Sequence, residues 1–333
     1  MKWICDDCQI CEPRHTELRV RRRTDAAMSS SLVRRARDVA TKFASRAGSA
    51  GSLRGGVPGT RASPLHSASA PYPPIFATRA FASQTSPASP SSPGLFEMRT
   101  YVMNPEWREA YLHVAQRALG PTGVLRKFHR GFLGSWVTNI GGDLNEVVSL
   151  YHYADYDERE DTRRRMSRDS EWGGFDIETR PMIRSHKSEI FLPATKALES
   201  AGIPDALEHM KKMADTSRVG TRDPGVYELR TYQLELGYNP IPKLMEHMSA
   251  GLPSKLKSDT AGLGELAWMG YSDVGKLNQF VELWRYPSFQ DHIKVREAAR
   301  GAGEWRECIG KIAPMVQMFD TRLVKPATFS PMQ

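Results

Sequence analysis

Cysteine is scarce in this chain, because its 333 residues include only four and these are unevenly placed. Cys5, Cys8 and Cys11 lie near the first residue, so only Cys308 belongs to the main body. With a single cysteine, the main body can contain neither an internal disulfide nor a cysteine-based metal site. We expect Cys308 to be a buried thiol that packs like a small apolar side chain.

The motifs that mark common cofactor and nucleophile sites are also missing. The chain contains no G-x-G-x-x-G after a predicted strand, no G-x-x-x-x-G-K, no H-E-x-x-H and no G-x-S-x-G. It lacks an apolar run of about 18 residues, so we predict no transmembrane span, while peripheral contact with a membrane stays open. On these grounds we predict no catalytic residue, no cofactor and no metal.

Acidic residues are scarce only at the front of the chain. Residues 1–95 contain 14 Lys and Arg against six Asp and Glu, whereas the remaining residues carry 32 of each sign. The net charge of +8 therefore belongs to the front of the chain. A nucleic-acid-binding domain carries its positive charge on the folded body, so we predict no nucleic-acid partner.

The front segment has the composition of a mitochondrial targeting sequence. From Met28 to residue 95 it has eight basic residues and one acidic residue, Asp38, among many Ser, Ala, Gly and Pro. Such a composition does not form a packed core, and an arginine-rich, acid-poor amphipathic opening is typical of a transit peptide. We predict a disordered leader over 1–95, cleavage after Phe81 and residence in the mitochondrial matrix. A disordered basic tail without a targeting role is the alternative.

The three early cysteines are spaced C-x2-C-x2-C and are followed by His15. Four soft ligands at this spacing are compatible with zinc or with an iron–sulfur cluster. Met28, however, opens a more typical transit peptide. We therefore interpret residues 1–27 as an extension from an upstream start and predict no metal site in them.

A six-residue stretch occurs twice, as FEMRTY over Phe96–Tyr101 and as YELRTY over Tyr227–Tyr232. From Asn145 onward, each residue aligns without a gap with the residue 133 positions later, until Ala194 meets Ala327. A period this long indicates a duplicated domain rather than a solenoid. We predict a first unit over 96–194, a connector with a short helix over 195–225 and a second unit over 226–330.

Hydrophobic periodicity gives each unit the order strand, helix, strand, strand, helix, strand. In the first unit, strands are predicted over 132–140 and 146–153, followed by one arginine-rich helix from Asp155 to about Asp169. The βαββαβ order predicts an α+β fold of two tandem ferredoxin-like units. Because each sheet has helices on one face only, we expect the two bare faces to pack face to face, as a closed or half-closed α/β barrel.

These repeated motifs resemble those of the NIPSNAP family of mitochondrial proteins. The resemblance extends over residues 96–330 and is carried by the E-x-R-T-Y strands, by Arg163 and Arg296 and by Trp172 and Trp305. It implies a fold of the dimeric α/β-barrel type and mitochondrial residence. It also implies a role in trafficking or in mitophagy and mitochondrial quality control, rather than a settled reaction.

Polar residues alternate on the two repeated strands, so within each strand they must point to one face of the sheet. Either they face a cleft, where arginine and tyrosine would bind a small anionic ligand, or they form satisfied Glu–Arg pairs beneath a helix. The candidates for a ligand site are Glu97, Arg99, Tyr101, Glu228, Arg230 and Tyr232, together with Tyr151 and Trp284 on the third strands.

An arginine-rich helix face is a second candidate site. Such a face is usually solvated, but it would also suit an acidic protein partner or an anionic lipid. The docking candidates are Arg163, Arg164, Arg165, Arg168 and Arg296. Trp172 and Trp305 are expected to anchor the second helix of each unit on its sheet.

Three hypotheses about function remain open. The first is a non-catalytic mitochondrial protein that binds a protein partner or a small anionic ligand, with homo-oligomer formation undecided. The second is an enzyme, since barrels of this resemblance include cofactor-free oxygenases and haem-dependent enzymes. Its substrate would lie in the cleft between the sheets, beside Arg99, Arg230 or a histidine. The third is a stoichiometric subunit of a larger mitochondrial assembly. Fold analogy does not choose among them.

Overall fold

The same order of strands and helices occurs twice in the structure, which is a computed structural model describing residues 93–215 and 224–333. The predicted cleavage site after Phe81, most of the predicted leader and the cysteines at 5, 8 and 11 lie outside the described residues. The elements of the first half are β1 (Leu95–Met103), α1 (Arg108–Leu119), α2 (Leu125–Phe128), β2 (Phe132–Ile140), β3 (Glu146–Tyr153), α3 (Tyr156–Ser167), α4 (Ser170–Thr179) and β4 (Ile183–Pro193).

A connector and the second half follow. The connector contains α5 (Thr195–Ser200) and α6 (Ala206–Met213). The second half consists of β5 (Val226–Leu234), α7 (Pro240–Ser258), β6 (Glu265–Val274), β7 (Gln279–Tyr286), α8 (Phe289–Gly301), α9 (Gly303–Ile312) and β8 (Val316–Pro326). None of the described helices combines the length and the apolar character that crossing a membrane requires.

The eight strands form one closed antiparallel barrel in the order β1-β3-β2-β8-β5-β7-β6-β4. The two halves join at both edges, where β2 pairs with β8 and β4 pairs with β6. The predicted α+β fold with a closed barrel is therefore confirmed, and the two sheets also join along both of their edges. Closure has a physical advantage, because each edge strand satisfies backbone N–H and C=O groups that would otherwise face solvent.

Side chains from all eight strands fill the barrel interior. They form one buried apolar cluster, which includes Phe96, Leu150, Leu229, Trp268 and Leu283. Met210 of α6 and Met332, which follows β8, belong to the same cluster and are fully buried. The interior is thus a packed core, and the cleft between the sheets that the enzyme hypothesis required is occupied by these side chains.

The helices cover the outer face of the barrel and create a second apolar layer in each half. Acidic and hydroxyl caps determine where several of them begin: Asp155 accepts from the N–H of Glu158, Asp169 from that of Trp172, and Ser288 from that of Asp291. The β3–β4 and β7–β8 connections each have two helices where the sequence predicted one. As a result, α4 and α9 stand over the sheet and form the outer wall of a pocket in each half.

Candidate functional site

The candidate residues of β1 and β5 lie on the outer face of the barrel, under the helices. On β1, Glu97 and Arg99 alternate with Phe96 and Met98, which point into the barrel core. Period-two alternation requires this separation, since neighbouring residues of a strand point to opposite faces. Of the two placements that the sequence allowed, the structure shows the one beneath the helices.

Glu97 is fully buried and is the centre of a polar network in the first half. Its Oε1 accepts hydrogen bonds from Ser188 Oγ at 2.5 Å and from Arg159 Nη2 at 2.8 Å, and Arg99 Nη1 lies 3.4 Å away. Burial alone would raise the pKa of Glu97, but Arg159, Arg99 and Ser188 together hold it below its usual value. The carboxylate therefore stays charged and fixes the two guanidinium groups.

Glu228 is the equivalent, fully buried centre in the second half. It accepts from Thr321 Oγ1 at 2.8 Å and from Tyr286 Oη at 3.1 Å. His292 Nε2 and Arg296 Nη1 lie 3.4 and 3.8 Å from its Oε1. Burial opposes ionisation, yet these neighbours together with the charge of Arg230 hold the pKa of Glu228 well below its ordinary value.

The pocket of the first half, which we call pocket A, lies above Glu97 between α4 and the sheet. Its volume is about 560 Å³. Pocket A is lined by Arg99, Tyr101, Tyr111, Leu119, Tyr151, Arg163, Trp172, Phe175, Asp176, Thr179, Arg180, Ile183, Arg184, Ser185 and His186. Two of its arginines are already paired: Arg180 with Asp176, and Arg184 with Asp143 at 2.7 Å. The positive charge of pocket A is therefore partly neutralised by the chain itself.

The pocket of the second half, pocket B, occupies the corresponding place above Glu228 and has a volume of about 420 Å³. It is lined by Arg230, Lys255, Tyr286, Val295, Arg296, Ala299, Arg300, Trp305, Arg306, Ile309 and Gly310. This lining contains four arginines, one lysine and no acidic residue. Arg300 and Arg306 are exposed, and neither has an ion-pair partner among the described residues. Pocket B thus combines an apolar wall with a cationic rim.

Lys255 is the most buried cation of pocket B, with 4% of its surface exposed. Its Nζ lies 3.6 Å from the ring centre of Trp284 and 4.7 Å from that of Trp305. Glu282 Oε2 is 3.7 Å away, which is an ion-pair distance but longer than a hydrogen bond. Among the described residues, the Nζ has no hydrogen-bond partner.

A shallower pocket adjoins pocket B on the far side of Arg230. It has a volume of about 330 Å³ and shares Arg230 and Ile309 with pocket B. Tyr232 lines it, and the Arg230 guanidinium stacks over Phe319 at 5.1 Å. Of the predicted ligand residues, Arg99, Tyr101, Tyr151, Arg230 and Tyr232 therefore line pockets. Glu97 and Glu228 lie beneath them, and Trp284 is buried behind Lys255.

The docking candidates do not form one surface. Arg163 and Arg296 turn inward and line pockets A and B. Arg164 and Arg165 are exposed on α3 and are both paired with Asp161. Arg164, Arg165 and the exposed Arg168 thus lie on a solvated helix face, which is the usual environment of an arginine-rich helix.

The remaining residues that were singled out have structural surroundings. Cys308 is buried against α7, and burial raises the pKa of its thiol to about 11. Trp305 is buried while Trp172 is half-buried, and both line a pocket. No group of three or more His, Cys, Asp or Glu side chains suited to a metal ion occurs in the described part of the chain.

Lys255, Tyr286 and Arg306 are site residues that were not predicted from the sequence. One signal for Lys255 was present: Leu244, Met248 and Leu252 form the apolar stripe of α7, and Lys255 continues it at helical spacing. A lysine on the buried face of a helix indicates a special environment. For Arg306 the sequence offered no comparable signal.

The fold and these sites define a closed α+β barrel with pockets between its helices and its sheet in both halves. The NIPSNAP family model matches residues 96–197 and 227–331. These two matches cover more than half of the chain and fall on its two repeated halves. The chain belongs to the NIPSNAP family.

The chain also resembles individual members of that family. It is 23% identical over 253 residues to Protein NipSnap homolog 2 of Mus musculus, covering 74% of this chain and 79% of the relative. It is 26% identical over 249 residues to Protein NipSnap homolog 3A of Homo sapiens, covering 72% and 85%. Among solved structures, a NIPSNAP family protein of unknown function from Agrobacterium tumefaciens is 28% identical; it covers 33% of this chain and 95% of its own, with a TM-score of 0.30.

Proposed function

We propose that this protein binds small organic anions, and that pocket B is its principal binding site. The observation that carries the proposal is the lining of pocket B, which has five cationic side chains, no acidic one and an apolar wall of Val295, Ala299, Trp305 and Ile309. A carboxylate with an apolar body matches both features. Guanidinium groups bind carboxylates through paired hydrogen bonds, and the apolar wall removes the body of the ligand from water.

The buried Glu228 supports the proposal, because it organises the floor of pocket B. It holds Tyr286 by a hydrogen bond and lies close to Arg296. These side chains are therefore held in place before a ligand arrives, which lowers the entropy that binding costs. Binding of this kind requires no reaction, so the proposal keeps the non-catalytic hypothesis.

Calorimetric titration tests the proposal with p-(hydroxymethyl)benzoate as the anionic probe and benzyl alcohol as its uncharged counterpart. We expect the anion to bind and the alcohol not to bind. Arg300→Met combined with Arg306→Met should weaken binding by about tenfold or more, since each lost charge-assisted contact is worth about 1.5–3 kcal/mol. Arg164→Met, which removes an exposed arginine of α3, is the matched control. Unchanged affinity in the double variant would disprove the assignment to pocket B.

We further infer that the protein resides in mitochondria, and that 1–95 is its leader, 96–194 and 226–330 are its ferredoxin-like units and 195–225 is their connector. The arginine-rich, acid-poor composition of the front segment supports mitochondrial import. Amino-terminal sequencing of protein purified from mitochondria tests this: a first residue of Ala82 is expected, and a first residue at or before Met28 contradicts it. Co-migration with a larger mitochondrial complex on a native gel would instead support the role of a stoichiometric subunit.

A further inference from the structure

The amine of Lys255 is placed unlike the three arginines that α8 and α9 contribute to pocket B. The arginines at 296, 300 and 306 are partly or fully exposed, whereas Lys255 is buried and its Nζ lies between two indole rings. A lysine that only had to attract an anion would gain nothing from this burial, because removing a charge from water is costly. The placement instead suits an amine that reacts as a nucleophile.

Lys255 is held in place by the packing of α7 against α9. Gly251 lies one turn before it, and a Cβ atom at Gly251 would come within 2.4 Å of the Cβ of Cys308. The two helices can approach this closely only because Gly251 has no side chain. Their contact brings Trp305 of α9 against the Nζ of Lys255, while Glu282 and Trp284 of β7 approach it from the sheet.

We propose that Lys255 captures carbonyl compounds that bear a carboxylate, by forming a reversible imine in pocket B. The inference rests on the proposed function, because the arginines must first hold the carboxylate of the ligand. The body of the ligand then lies along the apolar wall. Because the Nζ of Lys255 is covered in this structure, the Trp305 ring turns aside as the aldehyde or ketone carbon of the ligand reaches it. Pocket B would therefore select oxo acids or aldehyde acids among small organic anions.

The chemistry balances without a cofactor. The lone pair of the Lys255 amine attacks the carbonyl carbon, forming a C–N bond while the carbonyl oxygen takes up a proton. The resulting carbinolamine loses its hydroxyl group as water when the nitrogen gives up its remaining proton, and the C=N bond forms. Glu282 is the nearest carboxylate for these proton transfers; its Oε1 has no hydrogen-bond partner among the described residues.

The electrostatic surroundings favour a reactive amine. Burial and the positive charge of Arg230 lower the pKa of Lys255, while Glu282 and Glu228 oppose them, and the balance is a pKa of about 8. An ordinary lysine has a pKa of about 10.4, so near neutral pH Lys255 has roughly two hundred times more free amine. Imine formation requires that unprotonated amine.

Trapping by reduction tests the proposal on the whole protein. The protein is incubated with p-carboxybenzaldehyde and sodium cyanoborohydride, and the modified lysines are located by mass spectrometry. We expect Lys255 to be modified at least about tenfold faster than Lys257, an exposed lysine on the same helix that serves as the internal standard. Excess p-(hydroxymethyl)benzoate, which keeps the carboxylate but has no carbonyl, should protect Lys255 and leave Lys257 unaffected.

Three results decide between the proposals. Modification of Lys255 no faster than that of Lys257 overturns imine capture, even where calorimetry shows that p-(hydroxymethyl)benzoate binds, and in that case anion binding in pocket B stands. If Lys255 is modified fast but p-(hydroxymethyl)benzoate does not protect it, the reaction does not depend on anion binding in pocket B, and the proposed selection of carboxylate-bearing carbonyl compounds is wrong. Lys255→Arg keeps the positive charge and should yield no adduct at residue 255, and its circular dichroism spectrum and unfolding midpoint show whether the variant folds. This keeps a loss of reactivity distinct from a loss of folding.

Discussion

Glu97 and Glu228 occupy equivalent places in the two halves, but the partners around them differ. In the first half two arginines contact the carboxylate, Arg159 at 2.8 Å and Arg99 at 3.4 Å. In the second half the corresponding close contacts come from Tyr286 and Thr321. In the first half, therefore, a guanidinium group hydrogen-bonds the buried carboxylate beside the Ser188 hydroxyl. In the second half, hydroxyl groups make the short hydrogen bonds, and Arg296 lies farther away at 3.8 Å.

The pockets above the two glutamates differ in the same way. Pocket A contains Asp176 among its lining residues, and Arg180 and Arg184 are paired with carboxylates. Pocket B has no acidic lining residue and gains Lys255. A duplicated fold has thus kept one buried charge in each half while the pocket above it has diverged, one copy being largely self-neutralised and the other cationic. From this difference in the charge of the two pockets we infer that the two copies have different roles.

Removing either buried carboxylate should have the largest effect on stability. Glu97→Ala and Glu228→Ala each leave buried donors and cations without their acceptor, so we expect a loss of about 3–5 kcal/mol in the free energy of unfolding. Glu→Gln sharpens the comparison, because an amide can still accept from the hydroxyls of Tyr286 and Thr321 but cannot neutralise Arg99 and Arg159. Urea unfolding should therefore show a smaller loss for the Gln variant of Glu228 than for that of Glu97.

The control for these variants is Glu235→Ala, which changes an exposed glutamate just beyond β5 and should leave the unfolding midpoint nearly unchanged. Equal losses for the two Gln variants would show that charge neutralisation is the same in both halves. That result would remove the physical basis of the comparison.

The two repeated tryptophans should also differ. Trp305 has 6% of its surface exposed and supports Lys255, whereas Trp172 is half-buried beside Phe175. Trp305→Ala should cost about 3–5 kcal/mol of unfolding free energy, as expected for a buried aromatic ring, and Trp172→Ala about half as much. Thermal and urea unfolding followed by circular dichroism measures both. A larger loss for Trp172 would mean that pocket A, not pocket B, has the better-packed wall.

A buried histidine of the first half should make its own pH-dependent contribution to stability. His129 is 4% exposed, packs against Tyr153 at 4.4 Å, and both its ring nitrogens lack partners among the described residues. Burial is the main cause that lowers its pKa to about 4. His129 lies just before β2. The equivalent segment of the second half, residues 259–264 just before β6, contains no histidine.

The direction of the effect follows from which state binds the proton. Between pH 6.5 and 4 the unfolded chain protonates at position 129 while the folded protein does not, so stability falls as the pH falls through this window. The loss should approach about 3 kcal/mol at pH 4. His129→Phe should remove that part of the pH dependence in urea unfolding, and the exposed His113→Gln should retain it. A variant whose pH profile matches that of the wild-type protein would show that His129 does not titrate in this range.

The barrel strands were largely predictable from the sequence, whereas the walls of the pockets were not. The strands β2 and β3 have the predicted bounds, because their apolar residues and the turn at 141–143 are local signals. The helices α4 and α9 were missed, since Gly173 and Gly174 in α4, and Gly301 and Gly303 around the start of α9, weaken helix propensity. Their formation depends on packing against the barrel.

The same distinction applies to the site residues. The repeated Glu and Arg of β1 and β5 were found because they recur in sequence. Lys255 was missed because its surroundings are tertiary: Glu282, Trp284 and Trp305 belong to elements far along the chain and meet Lys255 only after the barrel closes and α9 packs. Local periodicity gives the face of a helix, but it does not give what that face contacts.

A pair of glycine substitutions should give the smallest effects, and they should be of opposite sign. Gly251→Ala places a Cβ atom against Cys308, so α7 and α9 must separate, which should cost about 1–3 kcal/mol of unfolding free energy. Gly174 of α4 has no neighbouring atom within 4 Å of an added Cβ, so Gly174→Ala should add up to about 1 kcal/mol through helix propensity. Urea unfolding measures both changes. Separation of α7 from α9 also moves Trp305 away from Lys255. Gly251→Ala should therefore weaken the anion affinity of pocket B, while Gly174→Ala should leave that affinity intact. Equal anion affinities and equal unfolding free energies in the two variants would contradict a tightly packed wall around Lys255.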